Sequence, residues 1–97
     1  MEPAFRALVV DDEAPARGEL KYLLKQSPRV TDVLEADGAS QCMDLLAEEQ
    51  VDVLFLDIRM PGMDGLQLSQ VISQLATPIP VVFVTAFEAH AIEAFQL

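Results

Sequence analysis

Cysteine is nearly absent from this chain: Cys42 stands alone, so no disulfide forms within it. That usage suits a reducing compartment, and the expectation is a cytoplasmic protein. Basic residues are scarce as well. Six Lys plus Arg face sixteen Asp plus Glu, a net charge of -10. This balance excludes sequence-independent nucleic-acid binding by the chain itself, because displacing counterions from phosphate backbones takes basic patches. Long apolar runs are missing too. The longest, at 53–56 and 79–84, fall far short of the ~20 residues of a membrane span, and Glu2, Pro3 and Arg6 do not make a signal peptide. No repeat, Gly/Ser linker or phosphate-cradling GxxxxGK[ST] or GxGxxG loop occurs. What is present is 97 residues with 52% hydrophobic and 23% charged side chains. That composition folds, as one domain over 1–97 with a thin core.

Two kinds of segment alternate along it. Residues 5–10, apolar but for Arg6 and ending in two β-branched valines, stop at Asp11-Asp12, the signature of a buried strand. Ala16, Leu20, Leu23 and Leu24 then fall at i, i+4, i+7 and i+8, one face of a helix reaching about Gln26. Pro15 suits its first turn and Ser27-Pro28 stops it. A more polar edge strand follows at 30–35. Ala39, Cys42, Met43 and Leu46 mark a second helix, and 51–56 reads as an apolar strand ending at Asp57. Beyond the turn-rich 59–63, Asp64 caps a third helix, with Gln67 placed to complete a capping box. Leu68, Val71, Ile72 and Leu75 form that helix's buried face. A fourth strand at 80–85 and a helix begun at 88–97, with Ile92 and Phe95 on one side, complete a β-α-β-α-β-α-β-α order. Such alternation predicts an α/β fold: a doubly wound parallel sheet with helices on both faces.

Sheets of this kind bind ligands beyond the carboxyl ends of their strands, near the switch in strand order. In a flavodoxin-like order of 2-1-3-4 the first and third strands are neighbours there. Their ends carry Asp11-Asp12 and Asp57, and the fourth strand ends in Thr85. Strands ~4.8 Å apart bring these side chains to one rim, where two carboxylates ~5 Å apart repel by about 3 kcal/mol at an effective dielectric of ~20. Three together need a neutralising partner, and oxygen-only ligands select magnesium over zinc. Singly, each Asp reads as a solvated rim residue or a cap; together, at the ends of buried strands, they read as a site. Asp64 reads as a cap only.

Three blocks then carry a resemblance. Leu8-Val9-Val10-Asp11-Asp12-Glu13, Asp57-Ile58-Arg59-Met60-Pro61-Gly62-Met63-Asp64-Gly65 and Val84-Thr85-Ala86 resemble the receiver domain of two-component response regulators, in the expected order on the expected strand ends. Residues 89–95 look further like the LytTR-type subfamily, whose receivers precede a LytTR DNA-binding domain. The resemblance implies that Asp57 is the phosphoacceptor for a histidine kinase or phosphotransfer protein. It implies Mg2+ held by Asp12, Asp57 and the Arg59 backbone carbonyl, with Asp11 acting through water. Thr85 matches the hydroxyl residue that contacts the phosphoryl group and moves on activation, and Ala86 the small residue that keeps the site open. Pro61-Gly62 and Gly65 shape the loop, Gly65 by taking backbone angles that a side chain forbids. Such a chain is a phosphoacceptor that assists its own phosphorylation, not a dedicated enzyme.

The family continues through a fifth strand, ending in a lysine that pairs with the phosphoryl group, and a fifth helix. This chain stops inside the fourth helix, and Lys21 and Lys25 sit on the first helix, where neither replaces that lysine. The expectation is a truncated receiver, poor at stable switching alone. Its apolar fourth strand would lie at the sheet edge, through which copies self-associate as a homo-oligomer. Two other readings stand beside it. One is a pseudo-receiver serving as a dimerisation or docking module. The other is a flavin- or nucleotide-phosphate module, disfavoured by carboxylates at the rim. An aspartyl-nucleophile phosphatase would want a second acid where Arg59 stands. Arg17, Lys21 and Lys25 recur every four residues, either a solvated helix face or a stripe that steers an acidic partner. His90 reads as a surface residue, Cys42 as inert core, and Met60 and Met63 as loop packing.

Overall fold

The computed structural model describes residues 4–84. Four parallel strands and three helices alternate along them. They are β1 (Phe5–Val10), α1 (Ala14–Leu24), β2 (Val30–Ala36), α2 (Ala39–Glu48), β3 (Val53–Asp57), α3 (Gly65–Ser73) and β4 (Val81–Val84). The sheet order is β2-β1-β3-β4, the arrangement the alternation predicts. Ala7, Leu8, Val9 and Val10 of β1 are all buried because this strand lies between two others and under helices on both faces. The continuous apolar run in the sequence is the trace of that position. The predicted helix at 88–97 and the end of the predicted fourth strand, Thr85, lie outside the described residues.

Alternation along the strands sorts the side chains into two unequal faces. Leu8, Val10, Ala36, Leu54 and Leu56 point to one side and pack with Cys42 of α2 and with Leu68 and Ile72 of α3, forming the main core. Truncating one of these leucines to Ala would cost about 2–5 kcal/mol. The other side holds Ala7, Val9, Val33 and Glu35 beneath α1. There the structure departs from the helix-face expectation. No residue of α1 is buried: Leu20 and Leu24 are half-buried, Ala16 is exposed and Leu23 is 55% exposed. Among the described residues α1 is alone on that face, so nothing closes over its outer flank. Val71 of α3 is likewise exposed, whereas Leu68 and Ile72 are buried.

Strand ends shift for identifiable reasons. β3 starts at Val53, because Asp52 turns the chain by accepting the Arg6 amide on its Oδ2 at 2.8 Å. Pro80 has no N–H to donate, but its carbonyl accepts the Leu54 amide at 2.9 Å, so the strand proper begins one residue later. Among the described residues β4 is the outer strand on its side of the sheet. No helix described is long and apolar enough to cross a membrane.

Candidate functional site

The carboxyl ends of β1 and β3 lie side by side, with Val10 paired to Leu56. The next residue on each strand is therefore an aspartate at the same rim. Carboxylate oxygens of Asp11, Asp12 and Asp57 lie within 4.8 Å of one another. The three residues read from strand ends in the sequence do converge, and each comes from a different turn of the chain's logic. Asp57 is the last residue of β3, Asp11 leaves β1, and Asp12 follows in the loop to α1.

Backbone hydrogen bonds hold these side chains in place. The Asp11 amide donates to the Ala36 carbonyl at 3.1 Å, extending the β1–β2 ladder by one rung. Its Oδ1 accepts the Glu13 amide at 2.9 Å, a local turn that a short acidic side chain makes readily. Asp57 Oδ1 accepts the Arg59 amide at 3.2 Å, which brings the Arg59 backbone to the same rim. Asp12 is exposed, and Asp11 and Asp57 are half-buried, so the cluster opens to solvent on one side.

The loop from Asp57 to α3 is shaped by two glycines, each for a different reason. Gly62 has φ +77°, the left-handed region that side chains disfavour. Gly65 has no such angle, which corrects the expectation that its backbone freedom matters. A Cβ there would run into the Asp57 carbonyl oxygen and come within 2.8 Å of the Ile58 Cα. Space decides this glycine, since the first turn of α3 lies against the backbone of the aspartate itself. The Gly65 amide donates to the Ile58 carbonyl at 2.9 Å and closes the loop. Asp64 caps α3 as predicted: its Oδ1 accepts the Gln67 amide at 2.9 Å, and Gln67 Oε1 accepts the Asp64 amide at 3.0 Å. Met60 is buried beneath this loop, as expected, and Met63 is exposed.

Electrostatics single out Asp57. Its carboxyl is pushed up from 3.8 to about 6, first by burial and then by the neighbouring charges of Asp11, Asp12 and Glu13, against the opposing Arg59 amide. The anion is therefore held at a cost, and any cation at the rim lowers it. All the converging donors are carboxylate oxygens, a hard set that fits magnesium rather than zinc. Cys42, by contrast, is buried in apolar surroundings that push its thiol up to about 11, which leaves it inert as expected.

Sequence reasoning missed the partners of the basic stripe. Arg17 Nε lies 3.2 Å from Glu35 Oε1 and Lys21 Nζ 3.1 Å from Glu35 Oε2. These two cations are therefore engaged with β2 rather than displayed for a partner, while Lys25 stays exposed. The signal was the alternation of Val33 and Glu35 onto the α1 face, which becomes readable only once the strand order is known. Thr85, Ala86 and His90 lie outside the described residues.

A response regulator receiver domain model matches residues 7–97. The chain belongs to the response regulator receiver domain family. It is 41% identical over 90 residues to the sensory transduction protein LytT of Enterococcus faecalis, a match that covers 93% of this chain and 37% of that protein. It is 39% identical over 92 residues to the transcriptional regulatory protein YpdB of Escherichia coli, covering 95% of this chain and 38% of that one. The chain thus spans less than two-fifths of the length of these curated relatives. Among solved structures, the response regulatory domain of protein mrkE from Klebsiella pneumoniae superposes with a TM-score of 0.76 at 37% identity. That match covers 94% of this chain and 75% of that one.

Proposed function

We propose that this receiver domain accepts a phosphoryl group on Asp57 from a histidine kinase or phosphotransfer protein. The observation that carries this reading is the gathering of Asp11 and Asp12 around a half-buried Asp57 whose charge is already strained. The Asp57 carboxylate attacks phosphorus in line, so that the O–P bond forms as the P–N bond of a phosphohistidine breaks. The departing imidazole keeps the electron pair, and the product is an acyl phosphate. Asp12, Asp57 and the Arg59 backbone carbonyl would hold Mg2+, with Asp11 acting through water. When bound, the ion supplies the charge cancellation that a phosphoryl group's equatorial oxygens need. The Arg59 amide keeps one Asp57 oxygen directed, leaving the other for attack. By the sequence resemblance, Thr85 matches the residue that contacts the phosphoryl group in the family, and Ala86 the small residue that keeps its site open. The domain assists its own modification and is not a dedicated enzyme.

The Escherichia coli relative's name, a transcriptional regulatory protein, supports an output in transcription. The resemblance of residues 89–95 to LytTR-type receivers points to delivery through a LytTR DNA-binding domain. A reducing cytoplasm suits its single, buried Cys42. The test is labelling by acetyl phosphate with and without Mg2+. Wild type should label only with the ion, and Asp57→Asn should not label. Labelling that persists in Asp57→Asn would place the acceptor elsewhere.

A further inference from the structure

Arg17 stands outside the acidic cluster yet reaches its backbone. Its Nη1 donates to the Asp11 carbonyl oxygen at 2.8 Å, and its Nε donates to Glu35 Oε1 at 3.2 Å. Lys21 Nζ donates to the other oxygen of the same Glu35 at 3.1 Å. The Arg17 side chain as a whole is only 19% exposed, so water has limited access to these bonds. Glu35 is well suited to anchor the group. The Lys21 hydrogen bond, aided by Arg17, holds its carboxyl below the usual range against a smaller opposing effect of burial.

The carbonyl that Arg17 grips belongs to the peptide joining Asp11 to Asp12. That peptide is planar, so fixing its oxygen fixes the last backbone torsion of Asp11 and the first of Asp12 together. Those torsions aim the Asp12 carboxylate directly, and they place the Glu13 amide that holds Asp11 Oδ1 at 2.9 Å. The Asp11 amide is already tied to the Ala36 carbonyl, so Arg17 supplies the second anchor that the residue needs. A planar fork held by Glu35 does this better than a mobile ammonium would.

From this geometry we infer that Arg17, braced by Glu35 and Lys21, is a positioning residue that presets the Asp11 and Asp12 carboxylates for the cation. The inference rests on the metal-binding reading above, and its test separates the two. Coulomb's law alone gives Arg17 the opposite role, because deleting a positive charge beside an acidic site tightens cation binding. Positioning predicts weakening, by roughly tenfold or more, as loss of an outer partner does at metal sites.

The experiment titrates Mg2+ into wild type, Arg17→Ala, Arg17→Lys, Glu35→Gln and the control Lys25→Ala, following the amide signals of Asp12 and Asp57. In parallel, amide exchange at Asp11 and Glu13 is measured without metal. Arg17→Ala should bind Mg2+ about tenfold more weakly and exchange about tenfold faster at those two amides, with core amides such as Leu56 unchanged. Arg17→Lys should recover only part of both effects, and Lys25→Ala should match wild type. Should Arg17→Ala not fold, Arg17→Lys and Glu35→Gln carry the same two readouts. Unchanged or tighter Mg2+ binding, or unchanged exchange at Asp11 and Glu13, overturns the inference. So does an exchange increase spread evenly over the core, which marks general destabilisation. Wild type that binds no Mg2+ refutes the metal reading and this role with it.

Discussion

Acidic residues crowd both ends of the sheet, and the two ends treat them differently. At the amino end Arg6 gathers three. Its side chain lies 3.7 Å from Asp32 and 3.0 Å from Glu49, and its amide donates to Asp52 at 2.8 Å. At the carboxyl end Asp11, Asp12 and Asp57 face one another, and the nearby guanidinium of Arg17 is spent on a carbonyl and on Glu35. One end is a settled surface network. The other holds half-buried, mutually repelling carboxylates that a cation placed there would relieve, which is how a fold could keep a site ready rather than merely stable.

The largest effect should come from removing the space on which the charged end depends. In Gly65→Ala the added methyl meets backbone atoms of Asp57 and Ile58, which cannot rotate away as a side chain would. We expect a loss of about 3 kcal/mol in urea denaturation, the upper end for overpacking, together with loss of the Mg2+ response. Next comes the ion itself. At Mg2+ a hundredfold above its dissociation constant, the wild type should gain about 2.7 kcal/mol. Asp12→Asn and Asp57→Asn should lose most of that gain, and Arg6→Gln should keep it. If sodium at matched ionic strength gave the same gain, screening rather than binding would explain it and the contrast between the ends would collapse.

Much of this contrast is legible in the sequence because strand ends are. An apolar run that stops at an aspartate states both where the strand ends and what stands there, so Asp11, Asp12 and Asp57 follow from β1 and β3. The capping box at Asp64 and Gln67 is equally local. What escapes is whatever depends on elements distant in sequence. Leu23 fits the helical stripe of α1, but no pattern along one helix tells whether a neighbour covers it. Gly65 shows the need for a glycine without its reason, since the collision lies with Asp57, eight positions away. Glu35 looks like a solvent-facing residue of an edge strand until β2 is set beside β1 with α1 above, where Arg17 and Lys21 reach it.

The charge stored at the carboxyl end should also appear as a pH dependence without metal. Because the folded state raises Asp57 from 3.8 to about 6, it holds a proton there that the unfolded chain has released. Stability contributed by this group is full below about pH 4, falls as pH rises toward 6 and stays reduced above it. Asp57→Asn removes the charge while keeping the shape. At pH 7 the variant should be more stable than wild type by on the order of 1 kcal/mol, a figure discounted for the solvent that reaches this half-buried carboxyl. The advantage should fade as pH falls through that window. Thermal denaturation of both proteins between pH 4 and 8 checks it, and a constant difference across the range would mean that packing rather than charge separates them.

The smallest effect belongs to the settled end, and its size is what gives the comparison meaning. The Arg6 side chain is 35% exposed, with Asp32 and Glu49 at 48% and 43%, so water and salt screen both pairs. Arg6→Gln should cost only about 0.2–1 kcal/mol, the range of exposed pairs, because the hydrogen bond from the Arg6 amide to Asp52 is made by backbone and survives the change. Most of that cost should vanish in 1 M salt, where the screening length shrinks to about 3 Å. A cost well above 1 kcal/mol that persists in salt would show that Arg6 holds back a repulsion as large as the one at the other end. Both rims would then be strained alike, and strain alone would no longer distinguish the rim proposed to hold a cation.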